Sequence, residues 1–344
     1  MDFLDLKNDQ CTTLDQWPDN TICLIEDMIE ENYLCKLLDR LGIPDCIMWE
    51  SALWYTLPDP YSHVPVFCMP IFGELQNQDY NNIDISSDLP ETKYNFCFSV
   101  NRANINRYLC IKFIQYFKLQ NFTYTWSGCG KEFDCSGILN SLSQMNLDKN
   151  FFLSPITDFE ARWIDSGQKI EKSKFGIDYK AKNAQNYMSM KPLYDSALVQ
   201  LILGTPNYEK LGWFCEKSLQ AILSMNIPIF VGGGYRQADV LRTLGYDVFD
   251  DIVDHSYETE PDLFKRCYLA FELNRSILQA TNFCEMRKDL YPRLLDNQQK
   301  ILEDNLCKKY NQKKLQSVKP DMRQTIITKI YPHTQKHSSH RING

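Results

Sequence analysis

The stretch Trp213–Asp254, WFCEKSLQAILSMNIPIFVGGGYRQADVLRTLGYDVFDDIVD, decides the fold. It reads as helix, strand, glycine-rich turn, helix, strand. The apolar run Ile227–Val231 is short enough to be a buried strand, and it runs into Gly232, Gly233 and Gly234. A helix follows Tyr235 and Arg236 in this reading. A buried strand passing through glycines into a helix is how α/β proteins hold phosphates. Backbone N–H groups and the positive end of the helix dipole meet the anion there. A plain connecting turn has the same outline. GGGYRQ is not G-x-G-x-x-G and lacks a GK[ST] ending, which disfavours standard NAD binding and simple nucleotide hydrolysis. Glu216 and Lys217 stand side by side where the preceding helix begins. An acid suits a ribose hydroxyl and a base suits a diphosphate, so the pair points to a nucleotide-linked donor. Glu alone would merely complement the helix dipole, but Lys runs against it.

The flanking segments extend the same alternation. YNFCFSV (94–100) predicts a strand, the run 101–117 a helix, and FTYTWSG (122–128) another strand, a βαβ unit that closes as a right-handed parallel crossover. SALVQLILG (196–204) is apolar almost throughout, the pattern of a strand buried on both faces of a parallel sheet. Residues 128–190 are polar and interrupted and yield no ordered reading. A helix is expected from about Pro261 to Gln279 and another from Phe283 to Lys309. Upstream, strands are expected at 22–26, 46–51 and 64–72, around a helix near Glu30–Leu41 that stops at Gly42. The expected division is 1–90 as an N-terminal acceptor-side α/β domain and 91–282 as a Rossmann-like domain. A C-terminal helix, 283–309, and a basic tail, 310–344, follow.

Composition narrows the classes. Of 344 residues, 44% are hydrophobic and 13% aromatic, too many for a disordered chain. No apolar run approaches the roughly 20 residues of a membrane span, and MDFLDLKNDQ lacks the basic-then-apolar order of a signal peptide. A soluble, cytoplasmic protein is expected. The 13 cysteines are scattered without a C-x-x-C pair, which favours free thiols over a disulfide framework. The net charge of −7 hides an asymmetry: from Lys308 onward nine Lys or Arg face one acid, Asp321, so that end carries +8 and the rest −15. A solvated tail is the ordinary meaning of such a run; an anionic, phosphate-rich partner is the functional one.

Asn101, Arg102 and Arg107 occupy the strand-to-helix junction of the βαβ unit, at the carboxyl end of a strand, where open α/β sheets place ligands. Arginines there can fork onto phosphate oxygens. Asp247, Asp250, Asp251 and Asp254 form an acidic run that reads as caps and a solvated face, and no metal is expected. His255 stands with Ser256 and Tyr257 as a candidate hydrogen-bonding cluster. For a catalytic base the candidates are Glu26, Asp27, Glu50 and Asp59, each near an expected strand end.

From Asn101 to about Asn274 the chain resembles a family of phage, giant-virus and bacterial glycosyltransferase-like proteins. The family has an arginine-rich strand-end motif, an "EK" helix, a proline-led strand, glycine, "LR-x-LG" and a segment like "IDESYD". Here these read SVNRANINR, CEKSLQAILSMNIPIFVGGG, VLRTLGYDVF and DIVDHSYE, in that order. The layout is similar to the donor half of fucosyltransferases of GT-B architecture, with two facing Rossmann-like domains; the N-terminal half here is short. The resemblance implies an inverting, metal-independent transferase that needs no cofactor and uses a nucleoside diphosphate sugar as donor. Glu216 would serve the donor ribose, Lys217 the diphosphate, and Arg102 or Arg107 a second phosphate contact. The acceptor would be a glycan, a protein or a modified nucleic acid. Cys215 stands where the family has Thr, His255 replaces an acid, and the arginine motif has lost its prolines and one arginine. A catalytically inactive interaction protein, or a nucleic-acid-modifying enzyme using the basic tail, are the alternative readings.

Overall fold

The structure, a computed structural model, describes residues 87–100, 105–126, 136–156, 190–204, 212–213, 216–232 and 236–303. Short pieces at 3–5, 22–25, 38–39, 46–50, 52–53, 60–61, 63–64, 66–69 and 316 are described as well. The chain divides into two compact units, Met1–Gln78 with Asp304–Gly344, and Asp79–Glu303. The second unit therefore takes in the long C-terminal helix that the sequence set apart, and begins before the expected boundary at 90.

The first unit contains β1 (Phe3–Asp5), β2 (Ile22–Ile25), β3 (Cys46–Glu50), the two-residue β4 (Ala52–Leu53) and β5 (Val66–Met69). Four of them form a parallel sheet in the order β1-β2-β3-β5, with Leu24 opposite Met48 and Met48 opposite Phe67. The three expected strands are present, and β1 adds one that three residues gave no periodicity to reveal. Of the helix expected at 30–41, Leu38 and Asp39 are helical; the rest lies outside the described residues.

The second unit is built on β6 (Tyr94–Val100), β7 (Phe122–Trp126), β8 (Ala197–Leu203) and β10 (Ile227–Val231), with β9 (Gly212–Trp213) as a short extended piece. All neighbours are parallel and the order is β7-β6-β8-β10. The chain thus starts in the middle, steps one way to β7 and the other way to β8 and β10. Right-handed crossovers then put the two connections on opposite faces, as in doubly wound α/β folds. The helices are α1 (Ile105–Tyr116), α2 (Leu139–Gln144), α3 (Lys149–Leu153), α4 (Glu216–Leu223) and α5 (Gln237–Thr243). They are followed by α6 (Leu263–Leu273), α7 (Arg275–Leu278) and α8 (Phe283–Glu303).

Strand alternation sorts the core. Phe96, Phe98, Val100, Val199, Leu201 and Ile229 belong to one buried cluster with α1 and α6, and Phe113 of α1 is its hub, with Phe152, Phe264 and Phe271 rings within 5.8 Å. The other face is covered by α4 and α8, which pack against each other. Arg287 of α8 is fully buried there and donates to the carbonyls of Asp195, Ser224 and Met225 and to Thr92 Oγ1, pinning α8 to the ends of three chain segments. Burial lowers its pKa to about 10.

Two sequence expectations are corrected. Residues 246–254 form no strand: β10 is the edge of the described sheet, and Phe249 adopts a left-handed conformation (φ 61°). Tyr246, Val248, Phe249 and Val253 are buried as a plug without a ladder. The unread stretch 128–190 contains α2 and α3, the latter capped by Asp148, whose carboxylate accepts from the Asn150 amide. Cys97, Cys110, Cys267 and Cys284 are free thiols. No described helix is long and apolar enough to cross a membrane.

Candidate functional site

In the order β7-β6-β8-β10 the direction of winding reverses between β6 and β8, and the crevice at the carboxyl ends of those strands is where such sheets bind ligands. Each element that carries a sequence candidate in the second unit ends or begins at this edge. β6 ends at Val100 and passes through Asn101 and Arg102, which lie outside the described residues, into the first turn of α1. Arg107 sits in that turn, nearly buried. The first turn of α1 contains no acidic residue to neutralise its dipole. α4 opens with Glu216 and Lys217, Lys217 being half-buried. β10 ends at Val231 and leads into Gly232; Gly233 and Gly234 lie outside the described residues.

Asn106 holds this edge together. It is fully buried, and its Nδ2 donates to the Gly204 carbonyl just past β8, 3.2 Å away. The same amide packs on Gly232: a Cβ built there would meet Asn106 Nδ2 at 2.5 Å and Cγ at 2.6 Å. Gly232 also has φ +71°, which L side chains rarely adopt. One amide therefore fits the ends of β8 and β10 to the start of α1. A second tie joins the first turns of α4 and α5, where Ser218 Oγ donates to Gln237 Oε1 at 3.4 Å. The sequence held no strong sign of Asn106, one polar residue among several in α1.

The glycine turn delivers the chain to Arg236, the N-cap of α5, in a left-handed conformation (φ 56°) and with no side-chain cap bond. The missing cap comes from Glu258, whose Oε2 accepts from the Ala238 amide, twenty residues before it, at 3.0 Å. The carboxylate fills the anion position that the amino end of α5 offers. Glu258 is in turn bonded to His255 (Nδ1 to Oε1, 3.1 Å), and His255 Nε2 contacts the Val248 carbonyl at 2.9 Å. Burial opposes a charge on His255, but the Glu258 carboxylate and the Val248 carbonyl outweigh it and hold the pKa above the ordinary value. The partners of His255 are thus Glu258 and Val248, in place of the expected Ser256 and Tyr257. His255 and Glu258 line a cleft of ≈ 580 Å³ together with Arg236, Arg242, Asp250 and Asp254.

The acidic run is engaged by arginines. Asp250 pairs with Arg242, and Asp247 and Asp251 pair with Arg293. The hydrogen bonds from Arg242 and Arg293 keep Asp250 and Asp251, respectively, below the usual carboxylate range. Among the described residues no His, Cys, Asp and Glu cluster has the makings of a metal site. Of the proposed bases, Glu26, Asp27 and Asp59 lie outside the described residues, and Glu50 closes β3 with its backbone opposite Met69. No protein-family model, curated protein or solved structure matches the chain.

Proposed function

We propose that the second unit binds a nucleoside diphosphate sugar at the carboxyl edge of its sheet and that the protein transfers the sugar, with inversion, to an acceptor hydroxyl. The observation that carries this reading is that the described residues Arg107, Lys217 and Gly232, far apart in sequence, stand at element ends on one edge, at the reversal of winding. The residue types suit the ligand: Glu216 for the ribose hydroxyls, and Lys217 with Arg107 or Arg102 for the diphosphate. In the reaction the acceptor oxygen bonds to the anomeric carbon as the bond from that carbon to the phosphate oxygen breaks. The departing diphosphate takes the electron pair and is neutralised by those cations. The acceptor proton passes to a carboxylate, for which Glu26, Asp27, Glu50 and Asp59 are the candidates. The GT-B arrangement belongs to the same proposal.

Thermal shift with a panel of nucleoside diphosphates tests it. A rise in Tm with one base, weakened at least about tenfold in affinity by Glu216→Ala or Lys217→Ala, supports the donor site; no shift with any of them refutes it. The Glu258 carboxylate at the amino end of α5 favours a second reading, an interaction protein that keeps the fold without donor binding. An absence of any nucleotide response in the wild type would leave that reading standing.

A further inference from the structure

We propose that His255 and Glu258 form a proton-dependent brace that holds the first turn of α5 in place. The Nδ1–Oε1 contact needs one proton between the two atoms, whichever of them carries it. The Val248 carbonyl is an acceptor only, so Nε2 must also bear hydrogen. Both contacts exist together only while the pair retains that proton. Once it leaves, neutral His255 has a single N–H, and either Val248 or Glu258 faces a lone pair. Glu258 Oε2 transmits the loss to the Ala238 amide, in the first turn of α5.

The brace spans two strained residues. Arg236, at the entry to α5, and Phe249, next to Val248, both have positive φ, and left-handed residues persist where their surroundings hold them. Arg236 makes no side-chain cap bond, so Glu258 is what accepts from the Ala238 amide in the first turn of α5. Other groups face His255 from its own turn, the preceding loop and β10. On its own turn, Asp254 is kept low by Ser256 and Tyr257 is pushed far up by burial. From the preceding loop, Asp250 is kept low by Arg242 of α5. β10 presents the Phe230 ring. Because the folded pKa of His255 is raised, the brace is complete below the ordinary histidine value of about 6.5 and opens as pH climbs through the folded value.

The brace stands on this geometry alone; its effect on ligand binding rests on the proposed function. Amide hydrogen exchange on the full chain tests it, with protection at 236–243 corrected for intrinsic rates and compared with β8 as internal reference. Between about pH 6 and about pH 9, wild-type protection at 236–243 should fall about tenfold while β8 holds. His255→Gln should show the low value at both ends, because one amide nitrogen cannot reach both Val248 and Glu258. Glu258→Gln should lose the pH dependence, because its amide donates to neutral Nδ1 and still accepts from Ala238. A flat wild-type profile, or an unchanged pH dependence in His255→Gln, would overturn the brace. Nucleoside diphosphate affinity is measured over the same range. If protection titrates and no nucleotide binds, the brace stands and the donor reading falls. If a nucleotide binds while protection stays flat, the donor reading stands and the brace falls.

Discussion

Gly232 and Asn106 show how much one contact can decide. A methyl group at Gly232 has nowhere to go except into the Asn106 amide, and the backbone there is left-handed. Gly232→Ala should therefore cost about 2 kcal/mol, from crowding and positive φ together, measured by urea unfolding. In an Asn106→Ala background the two closest contacts disappear and only the Cβ at 3.1 Å remains, so the same substitution should cost at least about 1 kcal/mol less. Additive costs would show that the two residues do not meet. The glycine itself was legible in sequence as a turn residue, but its partner was not. Asn106 lies 126 positions earlier, and nothing local ties an Asn in a helix to a glycine in another loop. The same holds for Glu258, which reads as an ordinary surface acid in SYET until the fold carries it to the uncapped start of α5.

At the scale of elements, periodicity worked wherever burial was regular. The strand at 94–100 is β6, and the fully apolar run 196–204 contains β8, buried at every position. It failed at 246–254, where apolar residues alternate with acids as in an edge strand. There the acids are turned into caps and arginine pairs, and burial is achieved by a plug with a left-handed Phe249. It also failed at α2 and α3, whose five or six residues are too few to show a period. The aromatic cluster on α1 makes the packing testable. Phe113→Ala removes the hub from rings on α3 and α6 and should cost about 3–5 kcal/mol. Tyr116, three residues on, is 39% exposed, and its replacement by Ala should cost under about 1.5 kcal/mol. Arg287→Met should be among the harshest single changes, about 3 kcal/mol or more, because it strips hydrogen bonds from three carbonyls that are out of reach of water. Chemical denaturation of the three variants ranks these effects.

At the scale of the molecule, the α/β class and the parallel sheets were readable from the alternation of apolar strands and helices. The division between units was not. The long helix at 283–303, set apart in sequence as a C-terminal helix, covers one face of the second sheet and carries the arginine that pins it. The fragment 79–303 should therefore fold alone with a cooperative transition, and truncation at 282 should abolish that transition; near-UV circular dichroism checks both. The claim above all of these is that the carboxyl edge of β6, β8 and β10 is a nucleotide site. Hydrogen exchange with and without a saturating nucleoside diphosphate tests it most directly. The account predicts added protection confined to about 100–109, 214–220 and 231–238. Protection that appears only elsewhere, or no change with any nucleoside diphosphate, would contradict it.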